Sequence, residues 1–186
     1  LRALIVGTGI ALEIDTGDAA LDKILRKEWQ DWIAHCSADG RDLYALQNNG
    51  AGEVIEAGEL LWRLVVMPDR AARGEIPLAV LPLEAEWLDE TVSSQIGRNA
   101  DGTLQAGPVC IDKYGRPVNY RLRNPEMAML YGAETVQAKD VLHVFEKRRS
   151  MQARGEPWMA PIIEVMQQER DLVDAELQAA VTCSSL

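Results

Sequence analysis

The sequence has no apolar run long enough to cross a bilayer. A spanning helix needs about 18 to 20 consecutive apolar residues, and the longest apolar stretch, Leu60 to Met67, is broken by Arg63. Cysteine is scarce. Cys36, Cys110 and Cys183 are odd in number and widely spread, which is not the pattern of a disulfide framework and fits a reducing cytoplasm. There is no C-x-x-C and no H-x-x-x-H spacing, so no metal site and no cofactor is expected. Positive charge is also in deficit: 19 Lys and Arg face 29 Asp and Glu, a formal charge of −10. The basic footprint of a surface that grips phosphates is therefore missing. A soluble acidic surface accounts for this charge, and so does a surface that must not grip nucleic acid. Composition does not choose between them. Leu1 to Val6 is apolar, but Gly7 interrupts it too early for a secretory signal.

What is present suffices for one domain with an appendage. Apolar residues make up 47% of 186, enough for a real core. Leu4 to Ile14 alternates loosely around Gly7-Thr8-Gly9 and reads as a strand or extended segment. Asp15-Thr16-Gly17-Asp18 is a turn cluster, with Asp18 placed to cap a helix. In that helix Leu21, Ile24, Leu25, Trp29, Trp32, Ile33 and Cys36 fall at steps of three and four and share a face. A second, weaker helix runs from about Asp42 to Ala57, where Gly50 and Gly52 either loosen it or admit another backbone.

The texture changes at Gly58. Glu59 to Met67 is apolar on both sides, as in a strand buried on both faces. Pro68-Asp69 stops it, and Arg70 to Glu75 reads as a polar loop. Ile76 to Leu83 is a second strand, placed at an edge by Pro77 and Pro82. Ser93 to Gly107 reads as a loop. Val109 to Ile111 and Pro117 to Arg123 form a hairpin, with Gly115 at its positive-φ position. Asn124 to Val136 is a connection, and Val141 to Phe145 is a further strand with Val141, His143 and Phe145 on one side. Pro157 opens a long helix of about 24 residues and about 36 Å. The fold class is α+β: N-terminal helices, a mixed or antiparallel sheet with a hairpin, and a long C-terminal helix. The division is 1–57, 58–146 and 156–183 within a single unit, and the absence of βαβ alternation argues against a doubly wound sheet.

Chemical motifs are thin. Gly7-x-Gly9 lacks the third glycine of a dinucleotide loop, since position 12 is Leu12. Ile14-Asp15-Thr16-Gly17 resembles the aspartic-protease triplet. That chemistry needs a second carboxylate from a symmetric partner, and Asp18 follows where a small residue belongs. A turn with a helix cap is the better account. His143 reads as a core histidine with one hydrogen-bond partner. Glu53, Glu59 and Glu84 read as solvated charges, and four of the five tryptophans, on apolar faces of elements, as core packing. Two rivals stay open at this point: a small dimeric aspartic-protease-like enzyme and a generic protein-interaction domain.

Several segments, in order, resemble the lambda-like family of tailed-phage portal proteins. They are Val6-Gly7-Thr8-Gly9-Ile10, the helix with Trp29-x-x-Trp32, Asp39-Gly40-Arg41, and Glu56-Ala57-Gly58-Glu59 leading into the strand Leu60 to Val66. Ile76-Pro77-Leu78, the hairpin to Tyr120, Val141-Leu142-His143-Val144-Phe145, and Arg154-Gly155-Glu156-Pro157-Trp158 follow. The long helix with Asp174-Ala175-Glu176-Leu177 comes last. The resemblance implies a structural protein without a catalytic site of its own. It implies a dodecameric ring at one capsid vertex, with double-stranded DNA passing non-specifically through the channel during packaging and ejection. The implied partners are further copies of the chain, the terminase, the capsid and the head–tail connector proteins, with no membrane. The implied location is the virion, and the host bacterial cytoplasm during assembly. The start at Leu1 and the abrupt end lead to the expectation of a piece of a longer chain, covering the wing region up to the stem.

Overall fold

In the computed structural model, which describes residues 2–92, 97–123 and 132–184, Arg2–Val6 is a helix, α1, and not part of a strand. Five apolar-rich residues are too few for periodicity to separate the two. The outcome is fixed by tertiary contact: Arg2 pairs with Glu56, and its guanidinium fills the space that a Cβ at Gly52 would need. Gly52 therefore admits a side chain, not a backbone. The same is true of Gly50, where the neighbours are Leu60 and Trp62.

Two aspartates open the longer helices. Asp18 accepts the backbone N–H groups of Ala20 and Leu21 at the start of α2 (Ala19–Ile33). Asp42 does the same for Ala45 at the start of α3 (Leu43–Glu56). Both supply acceptors for donors that a helix start leaves without partners. The chain turns at Gly58, at φ +85°, into β1 (Glu59–Val66). Pro68 then starts a short helix, α4 (Pro68–Ala72). This replaces the expected polar loop, because Arg70 is buried and donates from Nη2 to the Ser37 carbonyl at 2.7 Å. β2 (Leu78–Leu83) follows.

Gly97–Arg98 and Leu104–Ala106 form β3 and β4, two short paired strands within a stretch expected to be loop. They are too short to show alternation, and Asp101 closes their turn by accepting from the Thr103 N–H and hydroxyl. Residues 93–96 of that stretch lie outside the described residues. β5 (Val109–Ile111) and β6 (Pro117–Arg123) make the expected hairpin, with Gly115 at φ +79°. Of the expected connection, 124–131 lies outside the described residues. Ala133–Gln137 is a strand, β7, paired with β6. β8 (Val141–Phe145) pairs with β1.

The strands make two antiparallel sheets, ordered β2-β1-β8 and β3-β4-β5-β6-β7. β2 lies at an edge, which leaves Pro82 tolerable there. Leu61, Leu83 and Val141 of the first sheet meet Val109, Ile111, Tyr120, Leu122 and Val136 of the second in the main core. The first sheet's other face packs on the helices through Cys36, Leu46, Val80, Trp62 and Leu64. β1 is thus the middle layer, which is why it is apolar on both sides. The long helix, α5, spans Ala160–Ser184, about 37 Å at the usual rise. It starts later than expected: Pro161, not Pro157, is the proline of its first turn. Every described side chain from Ala160 to Cys183 is exposed.

Candidate functional site

A strap, residues 146–159, carries the chain from β8 to α5. Its middle is pinned to the sheets. Met151 and Ala153 pack on the main core, and Met151 takes the left-handed conformation at φ 62°, a strained choice for a residue with a side chain. Gln152 holds that shape. Its Oε1 accepts the N–H groups of Arg148 at 2.8 Å and Arg149 at 3.0 Å, and its Nε2 donates to the Arg154 carbonyl at 2.8 Å.

The strap then meets a buried carboxylate. Glu59, the first residue of β1, is 1% exposed. Its Oε1 accepts from Arg154 Nε at 2.6 Å, and its Oε2 accepts from the Gly155 N–H at 2.8 Å and from His143 Nε2 at 2.9 Å. Burial alone would push this carboxyl up, but the His143 bond, the Arg154 charge and the Gly155 amide outweigh it and hold Glu59 below the usual carboxylate range. An ionised Glu59 fixes the imidazole tautomer with Nε2 as donor. Nδ1 then accepts from the Tyr120 hydroxyl, 3.3 Å away. Burial and the Glu59 charge push the Tyr120 phenol up to about 12, so it stays a hydroxyl donor.

The backbones touch as well. A Cβ at Gly155 would overlap the Gly58 carbonyl, and a Cβ at Gly58 would overlap the Glu156 carbonyl group and the Pro157 nitrogen. Gly58, Glu59, His143, Gly155 and Pro157 thus converge on one joint, just before α5 begins. Glu59 is not the solvated charge that the sequence suggests, and His143 has two polar partners where one was expected.

The other residues singled out in the sequence lie elsewhere. Gly7 and Gly9, at φ +58° and +82°, form a turn docked on α3. The Ile10 amide donates to Gln47 Oε1 at 2.9 Å, so this turn is built for the helix beside it. The Trp29 and Trp32 rings lie 5.2 Å apart, and Trp32 Nε1 donates to the Leu78 carbonyl at 2.7 Å, tying α2 to the sheet edge. Trp158 is half-exposed before α5, and Asp174 and Glu176 are exposed on it. In the Asp15 triplet, Asp15 accepts from the Gly17 N–H, while the Thr16 amide and hydroxyl both donate to Asp22. The triplet is a turn and cap. Gln152 and Arg154 are the joint residues that periodicity could not single out. A buried glutamine in a polar stretch has no pattern of its own.

The arrangement does one thing chemically: it clamps the strap to the sheets by the Arg154–Glu59 charge pair and the polar chain Gly155–Glu59–His143–Tyr120. A cleft of about 420 Å³ borders Tyr120 and His143, and its basic residues are already engaged, Arg116 with Asp112 and Lys147 with the Gly115 carbonyl. A family model described as phage portal protein, lambda family, matches residues 1–186. The chain belongs to that family. Among curated proteins, none matches it. The joint is therefore a feature of a lambda-family phage portal protein. No helix among the described residues of this portal chain is long and apolar enough to cross a membrane.

Proposed function

We propose that this portal chain is a structural subunit of a closed ring at the capsid vertex, a conduit for DNA during packaging and ejection. The observation that carries the reading is α5: a long helix, exposed along its described length, rooted at one end in a joint built on the buried Glu59 carboxylate. A helix of this kind gains stability from packing on neighbours, not from itself. A heterologous contact that closes on itself generates a ring. The joint sets the angle at which α5 leaves the sheets, so the residues of the joint act in positioning. The division at 57–58 and near 156 follows the same logic, with the sheets as a base and α5 as the element presented to other copies. The formal charge of −10 suits a wall past which DNA slides. The terminase, the capsid and the head–tail connectors are the partners of such a ring, in the host cytoplasm during assembly and then in the virion.

Mass photometry of the protein made from its complete reading frame tests this. The expected result is a single large species whose mass is an integral multiple of the subunit. Monomers and dimers at all concentrations would contradict it.

A further inference from the structure

Two helices present apolar stripes that a single chain leaves open. On α2, Leu21, Ile24 and Leu25 are 43%, 59% and 38% exposed. They share one stripe, which Glu28 continues one turn further. On α5, Met166, Val173 and Leu177 are 56%, 53% and 59% exposed, and Arg170 lies within their stripe. Each apolar stripe is thus interrupted by one charge, and the two charges are opposite.

We propose that α2 of one copy packs antiparallel on α5 of the next, with Leu21 opposite Leu177, Leu25 opposite Val173 and Glu28 opposite Arg170. One register satisfies all three pairs, because the steps of four and three along α2 match those of four and three in reverse along α5. Antiparallel helices also align their dipoles favourably. Pairing α5 with itself is disfavoured: it brings together Glu169, Asp171, Asp174 and Glu176, against which Arg170 is the helix's one basic residue. Each copy uses α2 towards one neighbour and α5 towards the other, so the contact repeats and can close. The inference rests on the ring reading above and names its subunit contact.

Disulfide trapping tests it in the complete reading frame. Leu21→Cys and Leu177→Cys are combined, with Cys183→Ser removing the exposed native thiol. Mild oxidation is expected to give a ladder of dimers, trimers and higher multimers on a denaturing gel, absent from either single-cysteine chain. In parallel, Glu28→Arg or Arg170→Glu alone should raise the concentration of half-assembly about tenfold, and the combined swap should return it to the wild-type value. That rescue separates a lost contact from a misfolded chain. Crosslinks confined to one chain, a ladder from Leu177→Cys alone, or assembled rings with neither ladder nor rescue would overturn the contact and leave the ring reading standing. A wild-type protein that stays monomeric overturns both.

Discussion

Two glutamates at opposite ends of one turn behave in opposite ways. Glu59 has its charge matched on every side, and its carboxyl is held below the ordinary value of 4.5. Its folded-state pKa is depressed, so its contribution is full above about pH 4.5 and fades as pH falls through the lower folded value. Glu59→Gln removes the charge while keeping the shape, and leaves Arg154 without its partner. The expected loss is about 2 kcal/mol at neutral pH, read as a fall in Tm of several degrees, with variant and wild type converging in acid. Glu53, on α3, is the reverse case. Its Oε2 is buried without a partner, and burial, with Glu84 and Glu56 adding repulsion against Arg41 and Arg2, pushes it up to about 7. A raised carboxyl costs nothing below about pH 4.5, and the cost grows until pH passes the folded value. Glu53→Gln should therefore raise Tm at pH 8, on the order of 1–2 kcal/mol of stability, and leave it nearly unchanged at pH 4. A variant less stable at pH 8 would contradict this.

Among the elements, the strap is the one held by the narrowest tolerances. At Gly58 a side chain would face both a positive φ of +85° and the Glu156–Pro157 backbone. Gly58→Ala should cost about 1–2 kcal/mol from conformation alone, with displacement of the strap besides. Gly155→Ala meets no positive φ, only the overlap with the Gly58 carbonyl and the Glu59 Cβ. For both, amide hydrogen exchange should speed up over 147–159 and stay unchanged in α2 and α3. A uniform change would mean that the joint is no separate unit. Much of this architecture can be read from sequence where the signal is local. Asp18 and Asp42 precede apolar periodicity, β1 is apolar on both faces because it is the middle layer, and Gly115 sits where the hairpin turns. What stays hidden is set by contacts between distant residues. α1 owes its helix to Arg2 reaching α3, α4 owes its order to Arg70 under Ser37, and the joint unites Glu59 with Arg154, 95 positions apart. By sequence Glu59 reads as a solvated charge and His143 as a core histidine, Gly155 stands out only by resemblance, and nothing in the spacing of these residues and Gly58 shows that they meet.

Taken whole, the molecule is a three-layer body of helices, sheet and sheet, with α5 standing outside it. The body buries its core on its own, whereas α5 buries none of its described side chains. Amides of α5 should accordingly exchange fast in dilute monomer and become protected on assembly, while the sheets are protected in both. Protection of α5 in the monomer would remove the reason for neighbours. Negative-stain electron microscopy of the protein from its complete reading frame tests the central claim most directly. The account predicts closed rings of one size with a central opening wide enough for duplex DNA. Dispersed monomers at concentrations where the protein is folded, or open filaments without closure, would contradict it.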